Sequence, residues 1–534
     1  MNWKSLIVAC WLGAGLAVAP RVFGDENTQP ATKESSQPAA QESSQPAPQP
    51  TAQPTGQAGT PPEKSATDQF LDSIKHPIEW FTWGADLRVR EEFEKNDHSF
   101  DGHYDDEANQ LRLRGRIWAD LGPFFSDPSL GIPNGLDLYV RLTDETRFYL
   151  NRPTNPPWGG PLGEPPYRTN PAFNEIIVDN LYVNWDRPAG APVSFRVGRQ
   201  DLWYGRGFVM GDATPLDGSR TIYSDAVKVT LHADPAKTDL DLFVVDNKAN
   251  ENRFGPFVVQ NGQEEFVSAY NTKMLGAYLT SKYFAPLEAD LYYLYKDDSL
   301  ANYDVIHQLF YGQMPNGRTI HTVGGLVQGT AGPGWDYYGE AAYQYGTEDA
   351  IAGFNSEETQ QGYGINSDLG YTFKECSLTP RLHGGYEDLS GDDPHSKTFG
   401  GWDPVFGTWP QLSEIWAYRW EAEGKVVAQT PAEWSNLQAF SVGGSAKPMP
   451  KMTVTFDYSL MLANEKMLAV APTAVGIGYG HGYVRGSLFV AKLLYDFSAH
   501  VSGHLWAEYF IPGDYYAPHA ANAVFLRWEL MFKL

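Results

Sequence analysis

The residues with the clearest chemical meaning are arginines set two apart. Arg88 and Arg90 form one group and Arg112, Arg114 and Arg116 a second, with Arg141 and Arg147 following and Lys228 later in the chain. A guanidinium is a planar fork of donors that stays charged and grips a carboxylate through two parallel hydrogen bonds. Stacked up one wall, such forks make a basic ladder that favours negative solutes, as rings of charge do in anion-selective pores. Asp86, Asp120, Glu145 and Glu340 fall on the same inward set. Two readings therefore stand: a ladder that selects anions, and an Arg/carboxylate lattice that fills a wide barrel.

Catalytic constellations do not appear. The chain has no Gly-x-Ser-x-Gly, no His-Glu-x-x-His, no Cys-x-x-Cys and no glycine-rich phosphate loop ending in Lys-Ser or Lys-Thr. A glycosidase needs only two carboxylates, but among 65 Asp plus Glu a pair carries no information. Asp392-Asp393 and the stretch from Asp97 to Asp106 offer oxygen ligands of the kind Ca²⁺ takes, and a solvated acidic loop is the plainer account. No cofactor and no metal site is expected.

The elements that must position the arginines are strands. Leu111, Leu113, Gly115, Ile117 and Ala119 alternate with Arg112, Arg114, Arg116 and Trp118, and Leu87 and Val89 alternate with Arg88 and Arg90. Such sets lie on opposite faces of a strand. The pattern recurs at Leu136 to Thr143, Leu240 to Val245, Ala289 to Lys296, Trp335 to Tyr345 and Met452 to Tyr458. Short joints (Asp234-Pro235, Pro448 to Pro450) separate some strands and long polar stretches (Asn151 to Asn174, Lys248 to Ser268, Asp393 to Asn436) separate others. Short turns at one end and long loops at the other describe an outer-membrane barrel. The last residues agree: Val524, Leu526, Trp528, Leu530, Phe532 and Leu534 form an apolar set against Arg527, Glu529 and Lys533, a closing strand. An arginine on the lipid face at the bilayer midplane costs about 2–4 kcal/mol, so the arginines turn inward, into a hollow interior. Trp80, Trp83, Tyr337, Tyr345 and Trp528 suit the interfacial girdles.

Composition bounds the rest. The chain has 534 residues and a formal charge of -25, which disfavours nucleic acid as a partner. No apolar run of about 18 residues follows the N-terminus, so membrane crossing must be by strands. Residues 1–24, with Lys4, an apolar stretch from Leu6 to Ala19 and small residues Val22 and Gly24, form a signal peptide cut between Gly24 and Asp25. Removing them takes Cys10 and leaves Cys376 alone, so no internal disulfide is available. Residues 25–69 are a disordered Pro/Gln/Ser-rich linker with a repeated Glu-Ser-Ser-Gln-Pro-Ala, an inert spacer or a tether to a periplasmic export partner. A short amphipathic helix carrying Phe70, Leu71 and Ile74 is expected to end before Pro77, and residues 70–534 form the barrel.

Several motifs carry a family resemblance. They are Phe195 to Gln200, Tyr204-Gly205, Arg220-Thr221 and Asp225-Ala226-Val227, then Gly370 to Phe373, Pro380-Arg381 and Tyr386 to Asp393. Phe399, Asp403 to Phe406 and Trp506 to Gly513 complete the set. In order and spacing they resemble the alginate-export outer-membrane porin family. The resemblance implies an all-β fold, a transmembrane antiparallel β-barrel of about 18 strands (16 to 18), with an arginine-lined constriction through which a polyuronate leaves the cell by diffusion. Arg112, Arg114, Arg199 and Arg220 match basic positions of its motifs, and Glu340 with Gln344 and Gly346 matches another. The implied partners are an anionic polysaccharide or small anionic solute and outer-membrane lipid. Glycines crowd residues 199–222, which predicts either an infolded segment that gates the constriction or a long external loop. A secreted β-rich carbohydrate-binding protein or hydrolase is the alternative.

Overall fold

The computed structural model describes residues 66–97, 100, 102–103, 107–127, 135–151, 172–211, 223–248, 270–300, 317–349, 358–393, 395–406, 412–416, 435–466 and 482–534. The expected signal peptide with its Gly24–Asp25 cleavage point, most of the linker, and Arg220 lie outside them.

A helix, Ala66–Lys75, precedes the sheet and stops before Pro77, whose ring disfavours helical backbone at the residue before it. The Trp83 indole donates to the carbonyl of Ile74 (2.6 Å) and the His76 ring meets the Thr82 hydroxyl (3.0 Å), so the helix is moored at the start of the first strand.

Nineteen strands follow: β1 Phe81–Lys95, β2 Ala108–Phe124, β3 Leu136–Asn151, β4 Ala172–Trp185, β5 Val193–Gln200, β6 Ser224–Ala233, β7 Thr238–Asn247, β8 Tyr270–Ser281, β9 Leu287–Leu300, β10 Arg318–Ala331, β11 Trp335–Glu348, β12 Glu358–Thr372, β13 Arg381–Leu389, β14 Thr398–Phe399, β15 Leu437–Met449, β16 Met452–Leu462, β17 Val484–Asp496, β18 Val501–Pro512 and β19 Ala523–Lys533. β14 is two residues long and pairs in parallel with β12. β13 pairs directly with β15 across it, so eighteen antiparallel strands make the wall. β1 pairs with both β2 and β19, and the barrel is closed. Both ends of this sheet, and every short turn, lie at one rim. At the β10–β11 turn Gly332 takes a φ of +62°, a conformation in which a side chain would be strained.

The alternation is explained by two different solvents. Leu291 is 64 % exposed and Leu275 50 % exposed on the outside, while Arg88 and Arg90 are 1 % and 0 % exposed on the inside. A solvent-facing surface rich in Leu, Val and Phe suits hydrocarbon, and the closed ring satisfies every strand edge, as the bilayer core demands. Trp80 and Tyr345 are exposed toward that exterior.

Closure is reinforced by reciprocal ion pairs. Arg90 stands opposite Glu529 and Glu92 opposite Arg527 in the β1–β19 register. The Arg90 Nε donates to Glu529 at 2.7 Å, and the Arg527 Nη2 lies 2.6 Å from Glu92. On the outer face Trp528 donates its indole hydrogen to Glu91, also its register partner, at 2.7 Å.

Two outcomes test this architecture. Leu275→Arg is expected to destabilise the lipid-embedded barrel by about 2–4 kcal/mol in denaturant titration. Glu529→Gln leaves the buried Arg90 with only the longer contact to Glu92 (3.4 Å) and is expected to cost up to about 3–5 kcal/mol in the same assay, much of it recovered by adding Arg90→Gln.

Candidate functional site

Register places the arginines in rows. Arg88 lies opposite Arg114 and Arg90 opposite Arg112, while across the next seam Arg112 lies opposite Arg147 and Arg116 opposite Thr143. Like charges about 5 Å apart repel by about 3 kcal/mol at an effective dielectric near 20, so this wall stands only if carboxylates interleave. They do. Glu145 receives Arg88 (3.4 Å), Arg112 (3.0 Å) and Arg147 (2.7 Å). Glu92 receives Arg90 (3.4 Å), Arg112 (2.9 Å) and Arg527 (2.6 Å). Asp86 takes Arg114 at 3.4 Å, and Asp179 takes Arg141 at 2.9 Å. The result is an ionic lattice on β1, β2, β3, β4 and β19 in which most arginines are already engaged.

The remaining expected positions spread around the barrel. Arg199 pairs with Asp225 (2.9 Å) and lies 3.4 Å over the Tyr223 ring. Lys228 pairs with Asp241 at 3.1 Å. Asp120 is half-buried near the turn end of β2, opposite Thr82. Glu340 is on the far wall, where it accepts from the hydroxyls of Tyr338 (2.6 Å) and Tyr292 (2.9 Å) rather than from the arginine ladder. Among the described residues no three His, Cys, Asp or Glu side chains cluster as metal ligands. Asp392 instead caps a turn, accepting from the Gly400 amide at 2.8 Å.

The interior is not hollow along its whole length. Three loop segments turn into it from the loop rim. In residues 201–211, Leu202, Phe208, Val209 and Met210 are buried against Phe243, Val245, Met274 and Leu294 of β7, β8 and β9. Tyr204 stacks on Tyr278 (4.2 Å) and donates to Asp241 (2.7 Å), and Arg206 lies 4.0 Å over the Tyr338 ring. Gly205, at φ +56°, passes so close to the wall that a Cβ would sit 2.7 Å from Leu326. In residues 400–406, Asp403 is held by Lys296 (3.3 Å) and Arg318 (3.0 Å), and Gln344 brackets its backbone, accepting from its amide (2.9 Å) and donating to its carbonyl (2.6 Å). The two segments join: Phe208 stacks on Trp402 at 5.4 Å, the Phe406 amide donates to the Val209 carbonyl (3.0 Å), and the Gly211 amide donates to the Phe406 carbonyl (2.8 Å). A third segment, 412–416, docks on Glu508, which accepts from the Glu414 (2.9 Å) and Ile415 (3.1 Å) amides. Apolar fill thus replaces the expected water in the loop-side half, because inward apolar positions such as Val245, Phe510 and Phe525 would otherwise face an aqueous lumen.

Sequence reasoning passed over Glu92, Glu529, Arg527 and Asp179 as lattice members. Arg527 and Glu529 stood on the polar set of the last strand, but only ring closure brings them to Arg90 and Glu92. Asp179 had no such signal, because a register shift between β3 and β4 brings it to Arg141.

The fold is shared with solved structures. OccAB4 of Acinetobacter baumannii superposes with a TM-score of 0.51 at 11% identity, covering 86% of this chain and 98% of that one. OccK9 (OpdG) of Pseudomonas aeruginosa gives 0.50 at 10% identity, over 85% and 98%. At such identity the likeness is one of fold. A comparison with proteins of curated function finds no match. The family model for alginate export matches residues 79–471, a span that includes the first fifteen wall strands, most of the arginine lattice and all three infolded segments. The chain belongs to the alginate-export family, and its barrel is a channel protein of the Gram-negative outer membrane.

Proposed function

We propose that the barrel passes an anionic polysaccharide of the polyuronate type, or another carboxylate-bearing solute, outward by diffusion along the arginine wall. The observation that supports this reading is the stacking of Arg88, Arg90, Arg112, Arg114, Arg116, Arg141 and Arg147 inside β1, β2 and β3. Each of these forks except that of Arg116 already holds a carboxylate, so along them a passing uronate exchanges one carboxylate for another instead of desolvating a lone charge. Exchange of this kind keeps the wells shallow and the barriers between them low, which conduction requires. The chemistry is transfer rather than catalysis.

Planar-bilayer recordings of the purified protein test it. Channels are expected to pass anions over cations and to be blocked by a defined oligouronate but not by a neutral oligosaccharide of equal length. Equal block by both would exclude the polyuronate reading.

We infer further that the infolded loop segments gate the pathway. Residues 201–211 and 400–406 are joined to each other and to the wall by stacking, two inter-segment amide bonds and the Asp403 ion pairs, all of which can be exchanged for water when the loops withdraw. Replacing residues 201–222 with a short Gly-Ser turn is expected to raise single-channel conductance several-fold. Unchanged conductance would end the gating idea.

A further inference from the structure

One cation of the wall is left over. Among the described residues the Arg116 side chain has no hydrogen bond or ion pair, although only 7 % of the residue is exposed. Its Nε is buried without a partner. Arg88 and Arg114 also have a bare Nε, but their terminal nitrogens reach Glu145 and Asp86. The acids that attract Arg116 are Asp86 and Asp179, and each is hydrogen-bonded to a different arginine, Arg114 at 3.4 Å and Arg141 at 2.9 Å. A buried charged donor that the fold leaves unsatisfied marks a place where an incoming group completes the bonding.

The surroundings say what kind of group. Two residues along the same face, toward the turn rim, stands Trp118, whose ring lies across Gly84 of β1: a Cβ there would be 2.3 Å from Trp118 Cζ2. From Trp118 a row of rings continues across the wall. Tyr139 follows at 6.4 Å and Tyr182 at 5.0 Å beyond it, all within 26° of parallel. The row ends at Arg196, whose guanidinium lies 4.6 Å over Tyr182 and donates to the Asn184 amide oxygen at 3.3 Å. Tyr139 is buried in the middle, while Trp118, Tyr182, Asn184 and Arg196 are half-buried toward the turn rim, and the infolded segment reaches this region only through Asp201, which pairs with Arg141 at 3.0 Å. At the strand spacing of about 4.8 Å the row from β2 to β5 spans about 14 Å.

We propose that Arg116 and Trp118, continued by Tyr182 and Arg196, form a binding subsite for a pyranose ring that carries a carboxylate, the first station a uronate chain meets on entering from the turn rim. The C–H face of the sugar lies on the electron-rich indole face, and its carboxylate takes the guanidinium fork that no carboxylate of the described residues occupies. Neither part suffices alone: a neutral sugar leaves Arg116 unsatisfied, and a small inorganic anion leaves Trp118 uncovered. The inference rests on the polyuronate reading above and adds where that chain is recognised.

The test uses full-length protein in planar bilayers and in detergent, with a tetramer of a hexuronic acid as probe and a neutral tetrasaccharide as control. Arg116→Gln and Trp118→Ala are each expected to weaken block by the uronate about tenfold, with Arg116→Lys and Trp118→Phe recovering part of it. Because no side-chain hydrogen bond or ion pair among the described residues uses Arg116, Arg116→Gln is expected to leave the denaturation midpoint unchanged or raised, whereas Arg112→Gln lowers it. If the wild type is blocked by the uronate and both variants are blocked equally well, the subsite is wrong and the polyuronate reading survives. If the wild type is not blocked at all, both fall together.

Discussion

Packed rows of guanidinium groups inside a barrel need carboxylates between them to cancel their repulsion, and this constraint shapes the first quarter of the barrel. Turning Arg112, Arg114 and Arg116 outward would cost about 2–4 kcal/mol each at the midplane, so period-two alternation is enforced by the bilayer. Once inside, register sets Arg88 against Arg114 and Arg90 against Arg112, and repulsion has to be cancelled by Glu92, Glu145 and Asp86 reaching diagonally. The lattice then extends to β19 through Glu529 and Arg527, so the group that neutralises the arginines also closes the ring. Desolvating so many charges is costly even when they are paired, and such a wall contributes less to stability than an apolar one of equal volume. The proposed passage of a charged solute supplies a reason for it that stability does not.

The strands were legible in the sequence because the two faces of each meet different surroundings. Leu87 against Arg88 and Leu242 against Asp241 separate into outside and inside without any knowledge of neighbours. Long-range partners were not legible. Arg90 and Glu529 are 439 residues apart, and nothing local to either names the other. The infolded loops were half visible: the glycines of 199–222 allowed an infold but equally a surface loop. The deciding signal lay in the strands, in inward-facing Val245, Phe510 and Phe525, which need apolar partners that no alternation pattern supplies.

A second relation emerges between the sequence motifs and the fill. Tyr204-Gly205 and Asp403-Pro404-Val405-Phe406, motifs on which the family resemblance stands, are the two segments that meet inside the barrel, joined at Met210 and Phe406 by a parallel bridge. Gln344, on another such motif, is the wall residue that brackets Asp403. The recognisable parts of this chain are therefore less the wall than the device that obstructs it. A barrel wall tolerates many sequences that alternate, whereas two loops crossing a lumen to meet each other need particular residues at particular places, such as a glycine where the backbone passes within contact of Leu326.

Stability and conduction then divide along the barrel axis. Toward the loop rim the described infolded segments are packed by apolar contacts and held by ion pairs such as Asp403 with Lys296 and Arg318. Toward the turn rim the half-buried Trp118, Tyr182, Asn184 and Arg196 leave polar and aromatic surface in reach of solute. By register Trp118 lies opposite the paired Arg141, so the aromatic row and the lattice adjoin. On the proposed reading, binding at Arg116 displaces no carboxylate of the described residues, while transfer along the paired arginines is an exchange. Capture at Arg116, near-neutral transfer along the paired arginines and gating by the loops are thus the three parts of the proposed passage, and each draws on a different part of the same interior.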